Sequence, residues 1–176
     1  MAGTTESRKP TCLLFSIPST NATARGRLLW DKAPKTCAAV CAQLPIESTT
    51  FHGRNSGDEA LLCTPKVIST VPQDESENAS TEHRKDFLYF GYEPPGFCYG
   101  GVEGGGSEIV WIYGDAAQAT YWVSEHGPPH DKPPYTRKAA LLNCFGSVEE
   151  EDGFYATSKK LVKTGELKIT VTAGYD

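Results

Sequence analysis

Short apolar runs, broken by proline, glycine and polar turns, make up most of this chain, and one stretch repeats its apolar positions with a helical period. Residues 11–17, with Leu13, Leu14, Phe15 and Ile17, predict a buried strand ended by Pro18 and a polar turn at Ser19, Thr20 and Asn21. Residues 27–30 predict a second. Pro34 suits a helix start, where its missing N–H costs nothing. Over 35–44, Cys37, Val40, Cys41 and Leu44 recur at i, i+3, i+4 and i+7, which predicts a helix with one apolar face, stopped by Pro45.

Residues 72–85 contain no large apolar side chain and read as a polar linker or long exposed loop. Beyond them the texture predicts short strands at 86–92, 97–101, 108–113, 119–124, 138–145, 154–158 and 167–172, separated by Gly/Pro-rich turns. That series suggests an antiparallel β-sandwich or barrel. The segments 108–113 and 119–124 read as a strand pair. Ile109, Trp111 and Tyr113 share one face, opposite Tyr121 and Val123. Apolar residues on both faces favour a core over an exposed aromatic platform for sugar. The expected fold class is α+β and β-dominated, with a disulfide-stapled N-terminal helix/strand module followed by the β-sandwich or barrel. Its parts are a mobile tail at 1–10, the stapled module at 11–71, the linker at 72–85 and the β-module at 86–176. The alternative is one continuous domain over 11–176.

Hydrophobic residues at 39% and charged residues at 22% are a globular composition. A net charge of -5 and a pI near 5.4 argue against nucleic acid or an anionic membrane as partner. No apolar run reaches the roughly 18 residues of a spanning helix, so no membrane insertion is expected, and the chain reads as a monomer. Six cysteines, Cys12, Cys37, Cys41, Cys63, Cys98 and Cys144, form no CxxC pair. Together with sequons at Asn21 and Asn78 they point to a secreted, extracellular glycoprotein with up to three disulfides. The first residues lack the basic and apolar regions of a signal peptide, so the start reads as that of a mature form, with a cytosolic protein of reduced thiols as the alternative. Two cysteines four apart on a helix are poorly placed to bond each other. Each is expected to reach a strand, with Cys12 and Cys63 the near partners and Cys98 left for Cys144.

Candidate chemistry is sparse. His126, His130 and Asp131, with His83 as a further ligand, are the one arrangement resembling a metal site, but Gly127-Pro128-Pro129 forbids the helix that would align them. The glycine-rich stretch 100–107 lacks the Lys-[Ser/Thr] and following helix of a phosphate cradle. The acidic run Glu149-Glu150-Glu151-Asp152 reads as a solvated turn. No nucleophile elbow is present and no cofactor is expected. Function is then expected in loops on a rigid frame, at 91–96, 100–107 and 124–135.

The cysteine load and layout resemble the small secreted cysteine-containing effectors of plant-pathogenic fungi, and within them the dual-domain fold of Fusarium wilt effectors. The residues carrying the resemblance are Cys12, the helix with Cys37 and Cys41, Cys63, the polar break at 72–85 and the strand series from Asp86. Cys98 and Cys144 depart from a purely N-terminal cysteine cluster. The resemblance implies a non-enzymatic virulence protein that acts on a host protein and is recognised by a plant immune receptor. Alternatives are a secreted polysaccharide-binding lectin or cell-wall hydrolase using Trp111 and Trp122, and a disulfide-linked surface antigen.

Overall fold

A computed structural model describes residues 8–53, 56–93, 106–124 and 135–176. The chain opens with β1 (Cys12–Ile17) and β2 (Ala22–Leu28), joined by a turn in which Asn21 adopts a positive φ of 53°. Alternation sends Leu13, Phe15 and Ile17 inward from β1. On β2 the inward positions are Ala22, Ala24, Gly26 and Leu28. A Cβ at Gly26 would meet Leu88 Cδ1 at 2.5 Å and Phe15 Cε2 at 2.9 Å, so this position needs glycine for packing. Helix α1 (Pro34–Cys41) follows, then β3 (Ile46–His52) and β4 (Gly57–Cys63). A single 3-10 turn at Glu75–Glu77 and the two-residue β5 (Ala79–Ser80) lead to β6 (Phe87–Glu93) and β7 (Gly106–Ala117). The last elements are β8 (Thr120–Ser124), β9 (Tyr135–Ala139), β10 (Leu142–Glu151), α2 (Phe154–Thr164) and β11 (Leu167–Gly174).

The strands pair antiparallel in the order β2-β1-β11-β3-β4-β7-β6-β10, and β10 returns to β2 through Gly146↔Leu28 to Glu151↔Thr23. This closes an eight-stranded barrel, which removes the exposed edges an open sheet would carry. The expectation of a sandwich or barrel therefore resolves to a barrel. Strands from before and after residues 72–85 interleave around it: β11 lies between β1 and β3, and β4 is followed by β7, β6 and β10. The expected pairing of 108–113 with 119–124 is also corrected: β7 pairs with β4 and β6, and β8 pairs with β9.

The two helices sit at opposite ends. Val171 of β11 pairs with Ile46, just after α1, and Leu167, just after α2, pairs with Thr50 at the other end of β3. Phe154 of α2 enters the barrel and packs against Phe15 and Trp111, with ring centroids 5.9 and 5.3 Å away. The buried Trp111 Nε1–H donates to Ser158 Oγ at 2.9 Å, and Ser158 in turn donates to the Phe154 carbonyl. Residues 154–158, expected as a strand, are the first turns of this helix. Gly153 offers no capping side chain, and Glu150 supplies one by accepting from the Tyr155 N–H at 3.0 Å. The acidic run is thus part of β10 and the turn into α2: Glu149 also pairs with Arg27, and Asp152 accepts from Thr23.

Residues 72–85 are built into this fold. Glu77 is fully buried and accepts from the Lys35 N–H at 3.2 Å, the Thr36 N–H at 2.8 Å and the Thr36 hydroxyl at 2.8 Å. It caps α1, whose own N-cap, Ala33, has no side-chain acceptor. Next to it, β5 pairs with the start of β10, and Asn78 Nδ2 donates to the Cys144 carbonyl at 2.9 Å.

All five described cysteines are free thiols; Cys98 lies outside the described residues. The expected staples are therefore corrected. Cys37 and Cys41 do lie on the inner face of α1, but Cys37 Sγ meets the Phe145 carbonyl at 3.5 Å instead of a second sulfur. Cys12 packs in the barrel wall beside Arg25, with Nη1 3.7 Å from Sγ.

Candidate functional site at the α2 end of the barrel

β3, β4 and β7 are neighbours, so cross-strand register decides which side chains meet at their α2 end. His52 pairs with Ala60, and Ala60 with Trp111. The small Ala60 leaves space between its larger neighbours, and His52 reaches across to the residue two beyond Trp111. Its Nε2 lies 2.6 Å from the Tyr113 hydroxyl. The rings are tilted at 56° with centroids 5.9 Å apart. Tyr113 is 7% exposed and faces the interior with Ile109 and Trp111, as its alternation predicts. His52 is half-buried.

Asp58 joins them through a bulge. Gly57 pairs with Ala117 but Glu59 pairs with Ile112, so four residues of β7 stand opposite Asp58 alone. Bulges bend a strand and re-aim its side chains. Here the Ala116 N–H donates to Asp58 Oδ2 at 3.3 Å. A Cβ at Gly114 would collide with the Asp58 carboxylate, which accounts for glycine there. Thr50, two positions before His52, is fully buried, and its hydroxyl finds no hydrogen-bond partner among the described residues.

The electrostatics set the protonation states. Burial lowers the His52 pKa below its ordinary value, opposed by Asp58 and by a hydrogen bond to the Gly53 backbone. His52 Nε2 and the Tyr113 hydroxyl share one hydrogen bond, and which of them donates follows the ring tautomer. Burial, then Asp58 and Glu59, push the Tyr113 pKa up to about 12. At neutral pH the pair is an uncharged imidazole beside an undissociated phenol.

The sequence-level candidates lie elsewhere. Burial pushes the Cys37 thiol up to about 12 and those of Cys41 and Cys144 up to about 11, so none of the three is a ready nucleophile. His83 is buried, accepts from the Ala119 N–H through Nδ1 at 3.0 Å and packs edge-on against Tyr89. Among the described residues no group of three or more His, Cys, Asp or Glu is placed to hold a metal, and no helix is long and apolar enough to cross a membrane. His126, His130 and Asp131 lie outside the described residues, as do most of the loops 91–96, 100–107 and 124–135. Sequence reasoning missed His52 and Asp58. A signal was present: the polar turn 53–57 is flanked by glycines and lies between two pattern-poor stretches of strand length.

The fold and site define a closed antiparallel barrel with a helix at each end and, at one of them, a half-buried histidine in contact with a buried tyrosine. The chain belongs to the DUF3830 family, described as proteins of unknown function, whose model matches residues 15–123 and so includes His52, Asp58 and Tyr113. The structure is similar to the solution structure of the hypothetical protein AF2241 from Archaeoglobus fulgidus. That match has 18% identity and a TM-score of 0.52, and covers 97% of this chain and 99% of that one. It is also similar to McbB, solved in complex with tryptophan, with 12% identity and a TM-score of 0.55, over 93% of this chain and 45% of that one. At such identities the likeness is one of fold. No curated protein matches the sequence. Family and barrel together overturn the resemblance to fungal effectors and the virulence role it implied. That resemblance rested on cysteine layout, and the described cysteines are unpaired thiols inside a different architecture.

Proposed function

We propose that this protein binds a small molecule carrying a weakly acidic proton at the α2 end of the barrel and moves that proton through His52 and Tyr113. The observation that carries the reading is the 2.6 Å contact between His52 Nε2 and the Tyr113 hydroxyl, made where burial suppresses both ionisations. Perturbed titratable groups held in contact at the end of a barrel are a functional-site signature. The phenol oxygen takes a proton from the bound molecule as its own passes to Nε2. The resulting imidazolium is balanced by the Asp58 carboxylate, whose charge favours the protonated ring.

The test is proton–deuterium exchange of carbon acids followed by NMR in D2O, using α-keto acids and β-dicarbonyl compounds as probes. McbB's complex with tryptophan adds that amino acid to the set. Wild-type protein is expected to accelerate exchange in at least one class, and Tyr113→Phe and His52→Gln to reduce it by about 10²–10⁴-fold while leaving Tm nearly unchanged. Equal exchange in wild type and both variants overturns the proposal.

A further inference from the structure

At the opposite end of the molecule, an open groove of about 440 Å³ runs between residues 8–10, Trp30 and α1, where Pro34, Ala38, the half-buried Cys41 and Ala42 line it. Its size and apolar lining with a few polar groups suit a small ligand. The groove is a built feature. Trp30 Nε1–H donates to the Pro10 carbonyl at 2.7 Å, which fixes the indole and ties the N-terminal segment beside it. That bond uses the indole's only donor, so the ring offers its faces and no polar hydrogen. Both charged groups in the lining are cations. Lys9 Nζ stands 5.3 Å from the Trp30 ring centroid, and the Arg8 guanidinium 5.7 Å from that of Tyr175. Among the described residues the salt bridges are made by Arg25, Arg27 and Arg84, and none by Arg8 or Lys9. Two cations without carboxylate partners among the described residues, in a chain of net charge -5, make this groove a local positive spot beside an aromatic wall.

We propose that this groove is a second ligand site, selective for small aromatic carboxylates. The ligand ring packs against Trp30 and the α1 face, and its carboxylate replaces the ring as the partner of Lys9, with Arg8 beside it. The site lies at the far end from His52 and Tyr113 and does not depend on their role.

Titration calorimetry with indole-3-carboxylate and benzoate, against indole and acetate as controls, tests it. The carboxylates are expected to bind and the controls to bind at least about tenfold more weakly. Lys9→Gln with Arg8→Gln, both at exposed positions, should weaken carboxylate binding about ten- to a hundredfold with Tm unchanged, and the affinity should fall as salt is raised. His52→Gln should leave it unchanged, which separates this site from the proton-transfer site. Indole binding as tightly as indole-3-carboxylate, or full affinity in the double variant, overturns the proposal.

Discussion

Cys37 lies under α1 with its sulfur against the Phe145 carbonyl, and its pKa is pushed up to about 12 mainly by burial, with the nearby Cys41 adding to it. A thiol in such a place acts as a small apolar side chain. With no bridge among the described cysteines, a reducing agent should leave stability untouched. A melting curve with and without dithiothreitol should show the same Tm; a drop of several degrees would mean a bridge is present. The same burial makes the fold sensitive to alkali. A thiol whose pKa is raised on folding favours the protonated form in the folded state. Its stabilising contribution is complete below the ordinary thiol value of about 8.5 and is lost as pH rises toward 11–12. Tm should therefore fall between pH 9 and 11, and less steeply in Cys37→Ala, whose Tm at pH 7 is already lowered by lost packing.

Helix α1 has eight residues, too few to be stable on propensity alone. Its inner face was legible because apolar spacing is a local property. Its cap was not, because the acceptor arrives from Glu77, 41 residues after Thr36. Removing that carboxylate leaves two backbone N–H groups and the Thr36 O–H without an acceptor, while Thr36 Oγ1 still accepts from Asn143. Glu77→Ala should cost about 2–4 kcal/mol and Glu77→Gln, which keeps an acceptor, about 1–2 kcal/mol, read from urea unfolding midpoints. Equal stability of all three proteins would show the cap to be inert. Helix α2 was misread as a strand for a related reason. Its inner positions Phe154, Ser158 and Leu161 follow a helical spacing, but Ser158 breaks the apolar pattern, and the buried Trp111 N–H is what makes a hydroxyl suitable there. Strands β3 and β4 escaped notice because their facing ends carry Thr50, His52, Asp58 and Glu59 instead of an apolar alternation. Polar side chains gathered at a site hide the strand that holds them.

In the whole molecule, two half-buried or buried histidines, His52 and His83, have their pKa values lowered, in both cases first by burial. A histidine whose folded pKa lies below its unfolded value of about 6.5 contributes stability that is present above that value and is lost as pH falls through the folded pKa. Unfolding free energy should thus decline from pH 7.5 to pH 5. His83→Gln should flatten part of that decline and His52→Gln a smaller part, since His52 is the more exposed to water and has Asp58 opposing the shift. Denaturant curves at the two pH values check this, and a stability independent of pH over that range would contradict it. Acidification should also weaken proton transfer, because a protonated His52 can no longer accept from Tyr113.

The amino-acid pattern alone determined that this is a strand-rich chain, that 35–44 carry a helical pattern with Cys37 and Val40 inward, of which the helix takes Pro34–Cys41, and that Ile109, Trp111 and Tyr113 share a buried face. Each of these follows from periodicity within a few residues of chain. Tertiary structure alone decided the rest. It paired β10 with β2 to close the barrel, left the described thiols unbridged, turned a polar stretch into the cap of α1, and brought His52 to Tyr113 across 61 residues. Those outcomes depend on which strands become neighbours and in what register, and non-local adjacency leaves no mark in the local spacing of apolar and polar residues.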